Sequence, residues 1–237
     1  MKTKPFTLVE LLVVMAVIGL LISILLPSLR RAKGKAQQAV CLSNNRQIFV
    51  AMMEYTKNNK SKFPVAAAQN DRPVGYSRRA LTWDDMLSDY DGRRLSEAEK
   101  KLNGGLPAGS ASLYKCPASP YKRDDNIALR SYGINKGHIA GGGFTGISHY
   151  DQSRYVAEVE DSNTFLLVES ILINMRNILG RGGNSMTAGS TYGMGRKDIY
   201  IHSPTRLTSL SVDGSVRATS ILTEGLSPQN FWTYYHD

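Results

Sequence analysis

Glu10 is the single carboxylate in an apolar run of about twenty-one residues, Phe6 to Leu26, and no acid follows it until Glu54. A carboxylate inside such a run costs about 3 kcal/mol to place in a bilayer, so it calls for a cationic partner. The chemistry it offers is ion pairing in a medium of low dielectric. Other residue patterns offer less. His202 and Asp213 would serve a serine triad, but no Gly-x-Ser-x-Gly elbow accompanies them. Gly141, Gly143 and Gly146 match a dinucleotide fingerprint in spacing, without the strand-to-helix setting that it needs. A Walker A motif is absent. Asp84-Asp85 and Asp124-Asp125 offer oxygens to calcium, but no Asp-x-Asp-x-Asp-Gly loop is present and helix capping explains the first pair. These readings point to a chain that is not an enzyme and has no resident cofactor, with calcium the one metal left open.

Cys41 and Cys116 are the only cysteines. In an oxidising compartment such a pair reads as one disulfide, worth roughly 4 kcal/mol on the chain-entropy model. The other reading is two buried thiols. Cys-x-x-Cys spacing and a histidine cluster are both lacking, which argues against structural zinc.

The elements that position these residues start with the apolar run itself. Twenty residues at 1.5 Å rise span the hydrocarbon core. A removable signal peptide fits poorly, because the run is long and Ser23 to Lys33 offer no Ala-x-Ala site. The sequence stays free of further proline from Ser28 to Phe63. Cys41, Ile48, Ala51 or Met52, and Tyr55 fall on one helical face. The first fifty-odd residues therefore read as one long helix, with Pro27 as a kink or local melt, Gly34 as a soft point, and Asn58-Asn59 as its end.

The net charge is +9, and basic residues concentrate between Arg30 and Lys62. No zinc-finger or RNA-binding signature accompanies them, so nucleic acid is not the expected partner. A juxtamembrane basic cluster meets lipid headgroups or lies on a solvated helix face.

Beyond residue 60 the chain reads as a mixed, strand-rich body. Thr82 caps a short helix at Trp83, and Ser96 with Glu99 forms a capping box. Strands are expected near Ser131, Tyr155, Leu166 and Tyr200. Asp213-Gly214 reads as a two-residue turn between alternating strands. The Gly/Ser/Asn stretches 137–148 and 180–196 read as surface loops. Aromatic residues near the end, Phe231, Trp232, Tyr234 and Tyr235, read as tail packing or as a contact surface.

The basic leader Met1–Pro5, then Phe-Thr-Leu-Val-Glu, then the long apolar helix, resembles the signal of type IV prepilins and of type II secretion pseudopilins. The resemblance implies cleavage between Pro5 and Phe6 by a prepilin peptidase, then N-methylation of Phe6. It implies that Glu10 pairs with the amine of a neighbouring subunit; Phe6 and Glu10 also lie one helical turn apart, so the other partner open to Glu10 is the amine of its own chain. Pro5 departs from the family, which usually has Gly there. In the body, Trp83 to Leu87, Leu113 to Ser119 and Ser131 to Asn135 resemble prepilin-type proteins with a larger C-terminal domain. Many of these carry a histidine and a later Asp-Gly within a strand pair, matched here by His202, Asp213 and Gly214, with one extra residue between. The role of that motif is not implied.

The resulting expectation is an α+β, pilin-like fold. Residues 1–5 are a leader and 6–29 a transmembrane helix. Residues 30–59 continue the helix outside the cytoplasm, and 60–237 form a head built on an antiparallel sheet. Expected partners are the peptidase, other pilin-like subunits, inner-membrane lipid and the secretion or pilus machinery. Counting flanking charges would place Arg30, Arg31, Lys33 and Lys35 in the cytoplasm. The resemblance places the head in the periplasm or at the cell surface, and it is followed here. The alternative is a permanently anchored surface binding protein that does not polymerise.

Overall fold

The computed structural model describes residues 7–68, 81–100, 112–119, 131–135, 139–140, 143–144, 147–148, 152–160, 162, 164–169, 185–186 and 207–219. Pro5, Phe6, Asp124, Asp125, His202 and the four tail aromatics lie outside these residues, as does the strand expected near Tyr200.

Helix α1 runs unbroken over Leu8–Asn58. The backbone stays helical at Pro27, so the local melting expected there does not occur. Proline removes one hydrogen bond, and the turns on either side keep theirs. Asn59 ends the helix, and the left-handed Lys60 and Ser61 (φ 55° and 58°) turn the chain back. The Ser61 amide then donates to the Thr56 carbonyl at 2.9 Å.

The short elements follow in order: β1 (Ala67–Ala68), β2 (Leu81–Thr82), α2 (Trp83–Met86) and α3 (Glu97–Lys100). Then come β3 (Tyr132–Asn135), β4 (Ile139–Ala140), β5 (Gly143–Phe144) and β6 (Phe165–Glu169). The last described are β7 (Ser185–Met186), β8 (Leu207–Ser211) and β9 (Val216–Thr219). The main sheet has the order β7-β3-β6-β8-β9. Neighbours from β3 to β9 are antiparallel, while β7 joins β3 in parallel. The fold is α+β.

One side of the second half of α1 packs on this sheet. Cys41, Ile48, Ala51 and Met52 are buried, and Tyr55 is half-buried. Cys41, Ile48 and Met52, with Tyr55 packed beside them, join Tyr132, Ile134, Leu167 and Leu210 in a single core, extended by Trp83 and Tyr114, whose rings pack edge-on at 5.5 Å. The first half of α1 has no such cover. Large apolar side chains from Leu8 to Leu29 are all exposed, Leu8 by 79 %. A single helix thus has two solvents: protein beyond Cys41, and none of the protein before Leu29.

Three local expectations are corrected. Tyr155 belongs to no strand. It makes one isolated bridge to Lys62, and Val156–Glu158 is a 3-10 turn. The Glu158 carboxylate accepts the Tyr155 amide at 3.0 Å, which favours a turn over a ladder. The stretch 137–148 is not simply surface loop, because β4 pairs with β5 and both Ile147 and Ser148 are buried. The Ser148 hydroxyl donates to the Pro64 carbonyl at 2.7 Å and fixes that end. Within 180–196, Ser185–Met186 adds a strand to the sheet.

Candidate functional site

The start of α1 carries a capping box that sequence reading overlooked. The Thr7 hydroxyl accepts the Glu10 amide at 3.3 Å. Glu10 Oε2 accepts both the Thr7 amide (2.9 Å) and the Thr7 hydroxyl (2.8 Å). The Thr-x-x-Glu spacing was the available signal. Both contacts use Oε2, and Oε1 makes no hydrogen bond among the described residues. Glu10 is therefore held in one orientation, exposed, at the outer end of an apolar rod.

The second constellation lies where α1 meets the sheet. Cys41 and Cys116 form a disulfide with their Cα atoms 5.4 Å apart. The Gln37 side chain, one turn earlier, donates to the Pro117 carbonyl at 3.0 Å. Asn45 on α1 donates to the Thr208 hydroxyl at 3.3 Å, and that hydroxyl donates to Glu169 at 3.0 Å. The Thr208 amide donates to the same carboxylate oxygen at 3.0 Å. All three side chains are buried, so the chain of bonds fixes both the rotation of α1 and its register on β6 and β8. The Cys41 and Cys116 sulfurs and a Glu169 oxygen lie within 4.8 Å of one another. The sulfurs are bonded together, so in the oxidised chain this group is a clamp beside a carboxylate.

Burial gives the core tyrosines a pH signature. Burial pushes the Tyr132 hydroxyl well above its ordinary value near 10; the Glu169 charge adds to this and a hydrogen bond from Asn44 opposes it. Tyr114 is raised well above 10 by burial, and the nearby Arg93 guanidinium opposes that shift. A raised folded-state pKa means that the unfolded chain loses its proton first as pH rises. Stability is therefore full below pH 10 and falls above it. We expect denaturant midpoints to be level near pH 8–9 and to drop beyond pH 10, with a shallower drop in Tyr132→Phe.

The Asp213-Gly214 turn is built differently from the two-residue form expected. The Gly214 amide donates to the Ser211 carbonyl at 3.0 Å, and the Ser211 amide to Ser215 at 2.9 Å. Among the described residues of this hairpin only Gly214 has positive φ, at 82°. This is a four-residue turn closed by a left-handed glycine. Asp213 keeps negative φ because its amide is held by the Ser162 carbonyl at 3.1 Å and its side chain accepts the Ser215 amide at 2.8 Å. A Cβ on Gly214 would meet the Phe49 ring of α1 at 2.6 Å. The motif thus has a packing role: it lets the hairpin tip close on the helix. Gly214→Ala should destabilise the fold by about 2 kcal/mol, from strain plus the clash. Phe49→Ala in the same chain should relieve the clash, so the pair costs less than the sum of the single changes in a denaturation cycle.

Asp84 and Asp85 are buried on the Thr82 hydroxyl, at 2.7 and 2.6 Å, as the N-terminal cap of α2. The structure does not bring Glu10, the disulfide and the Asp213-Gly214 turn together into one pocket. Glu10 stands at the far end of α1, while the other two brace the opposite end of the helix.

These features define an α+β chain with one N-terminal helix long and apolar enough to cross a membrane and a head clamped to its second half. Comparison with known protein families, curated proteins and solved structures finds no match.

Proposed function

We propose that the chain is a structural filament subunit, pilin-like or pseudopilin-like, of a type II secretion or type IV pilus-type system. The observation that carries this reading is the divided helix. Its first half is exposed, apolar and tipped by one carboxylate, and its second half is fastened to a head. In this reading residues 6–29 hold the subunit in the inner membrane with the head in the periplasm or at the cell surface. A prepilin peptidase cleaves before Phe6, and the new amine becomes a cation at the membrane face. Glu10 of an incoming subunit pairs with that amine on its neighbour, which sets axial register as the apolar halves bundle. Such a pair contributes more to register than to net stability.

A second reading keeps the chain as a permanently anchored surface binding protein, and Pro5 at the cleavage position favours it. Intact mass and N-terminal sequencing of the protein from native membranes decide between them. A start at N-methylated Phe6 is the expected result. A start at Met1 overturns the filament reading and leaves the anchored one.

A further inference from the structure

The basic residues just beyond the apolar run form a collar. Arg30, Arg31, Lys33 and Lys35 are all exposed, and none makes an ion pair among the described residues. The sequence holds no acid from Leu11 to Met53, so this stretch of α1 supplies no counter-charge of its own. At about 100° per residue the four point to roughly 0°, 100°, 300° and 140° around the axis. They spread over about 200° of the circumference and leave about 160° bare, a broader spread than a one-sided stripe. Along the axis they occupy about 7.5 Å, from 30 to 35, starting about 6 Å beyond Leu26. The headgroup layer on each side of a bilayer is roughly 5–7.5 Å thick; the Arg30 backbone falls within it and those of Arg31, Lys33 and Lys35 at or above its outer edge, with long side chains that lean back towards the N-terminal end of the helix and reach it. About 30 Å of helix, Thr7 to Leu26, fills the hydrocarbon core below it. Among the described residues, the first side-chain hydrogen bond from α1 to the head is that of Gln37 to the Pro117 carbonyl.

We propose that Arg30, Arg31, Lys33 and Lys35 form a binding collar for the phosphates of anionic phospholipids. The collar seats the head directly on the bilayer surface. This inference rests on the reading of residues 6–29 as a membrane span. A planar sheet of headgroups surrounds a spanning helix on every side, so it can meet all four cations across their spread of about 200°. Arginine forks take phosphate oxygens in pairs, and the lysines add point charge. Each such cation contributes about fivefold to partitioning onto an anionic surface.

The test uses the full chain reconstituted in phosphatidylcholine vesicles doped with nitroxide-labelled phosphatidylglycerol or nitroxide-labelled phosphatidylcholine. The motionally restricted fraction of each probe gives their relative association. We expect phosphatidylglycerol to be favoured at least about threefold in low salt, falling towards parity in 1 M NaCl as charges are screened. The variant R30Q/R31Q/K33Q/K35Q should show parity at all salt concentrations. All four side chains are exposed, so it should fold normally, as read by intrinsic tryptophan fluorescence from Trp83 and Trp232. Retention after alkaline carbonate extraction reports the span separately. A chain that carbonate releases overturns the membrane reading and the collar with it. A chain that stays in the bilayer with no phosphatidylglycerol preference overturns the collar alone. Binding of a fluorescent DNA duplex to neutral proteoliposomes, lost in the variant and without a lipid preference, overturns the lipid assignment in favour of nucleic acid.

Discussion

If the chain is the filament subunit proposed above, Glu10→Ala should leave membrane insertion intact and abolish detectable filament assembly. Removing one partner of a buried pair costs about 3–5 kcal/mol, or more than a hundredfold in a subunit contact. The structure adds a complication and a way around it. Glu10 also closes the capping box with Thr7, and losing a cap alone costs about 1 kcal/mol at the helix start. Glu10→Gln separates the two roles, since a glutamine side chain still accepts from the Thr7 amide but carries no charge. If charge pairing sets register, both variants fail to assemble while carbonate-resistant membrane protein stays at the parental level. If Glu10→Gln assembles normally and Glu10→Ala does not, Glu10 acts as a cap and the pairing model falls. Normal filament yield from Glu10→Ala would sink both roles.

Loss of the disulfide should have the largest effect on stability. Cys41 and Cys116 are separated by 75 residues and both are fully buried. Closing a loop of that size removes about 4 kcal/mol of unfolded-state entropy. The double change Cys41→Ala with Cys116→Ala should lower the unfolding midpoint by roughly 10 °C, taking about 2–4 °C per kcal/mol for a head of this size. Trp83 is fully buried in the same core, so in a Trp232→Phe background its fluorescence reports the transition in the full chain in detergent. The loss should also loosen the head from α1, seen as faster amide exchange at Asn44 and Asn45. An unchanged midpoint would mean that the Asn45–Thr208–Glu169 chain and the apolar face hold α1 without the bond.

The distribution of polar groups explains why the head is fastened where it is. Asn45, Thr208 and Glu169 are each buried at the helix–sheet contact. An apolar contact tolerates sliding by a turn, whereas a buried hydrogen-bond chain fits in one register only. Gly214 under Phe49 adds a steric stop at the other side of the same contact. Together these hold the second half of α1 at one rotation, and so fix where Glu10 and the basic collar point relative to the head.

Much of this was legible in the chain because it depends on local order. The apolar length of residues 6–26, the lone Glu10, the face through Cys41, Ile48 and Met52, and the strands at Tyr132–Asn135 and Phe165–Glu169 all follow from periodicity and composition. Helical rise and side-chain solvation act on neighbours in sequence, so sequence alone determined them. The buried network of Asn45, Thr208 and Glu169 spans up to 163 residues of separation, and no local pattern marks it. The turn at Gly214 looked like a two-residue hairpin until the Ser162 carbonyl took the amide of Asp213 and Phe49 took the space above the glycine. Tyr155 had the composition of a strand, yet its amide found the carboxylate of Glu158 first. Only the tertiary structure decided these points, because a buried hydrogen bond or a close contact between distant residues is chosen by what the rest of the fold leaves unsatisfied.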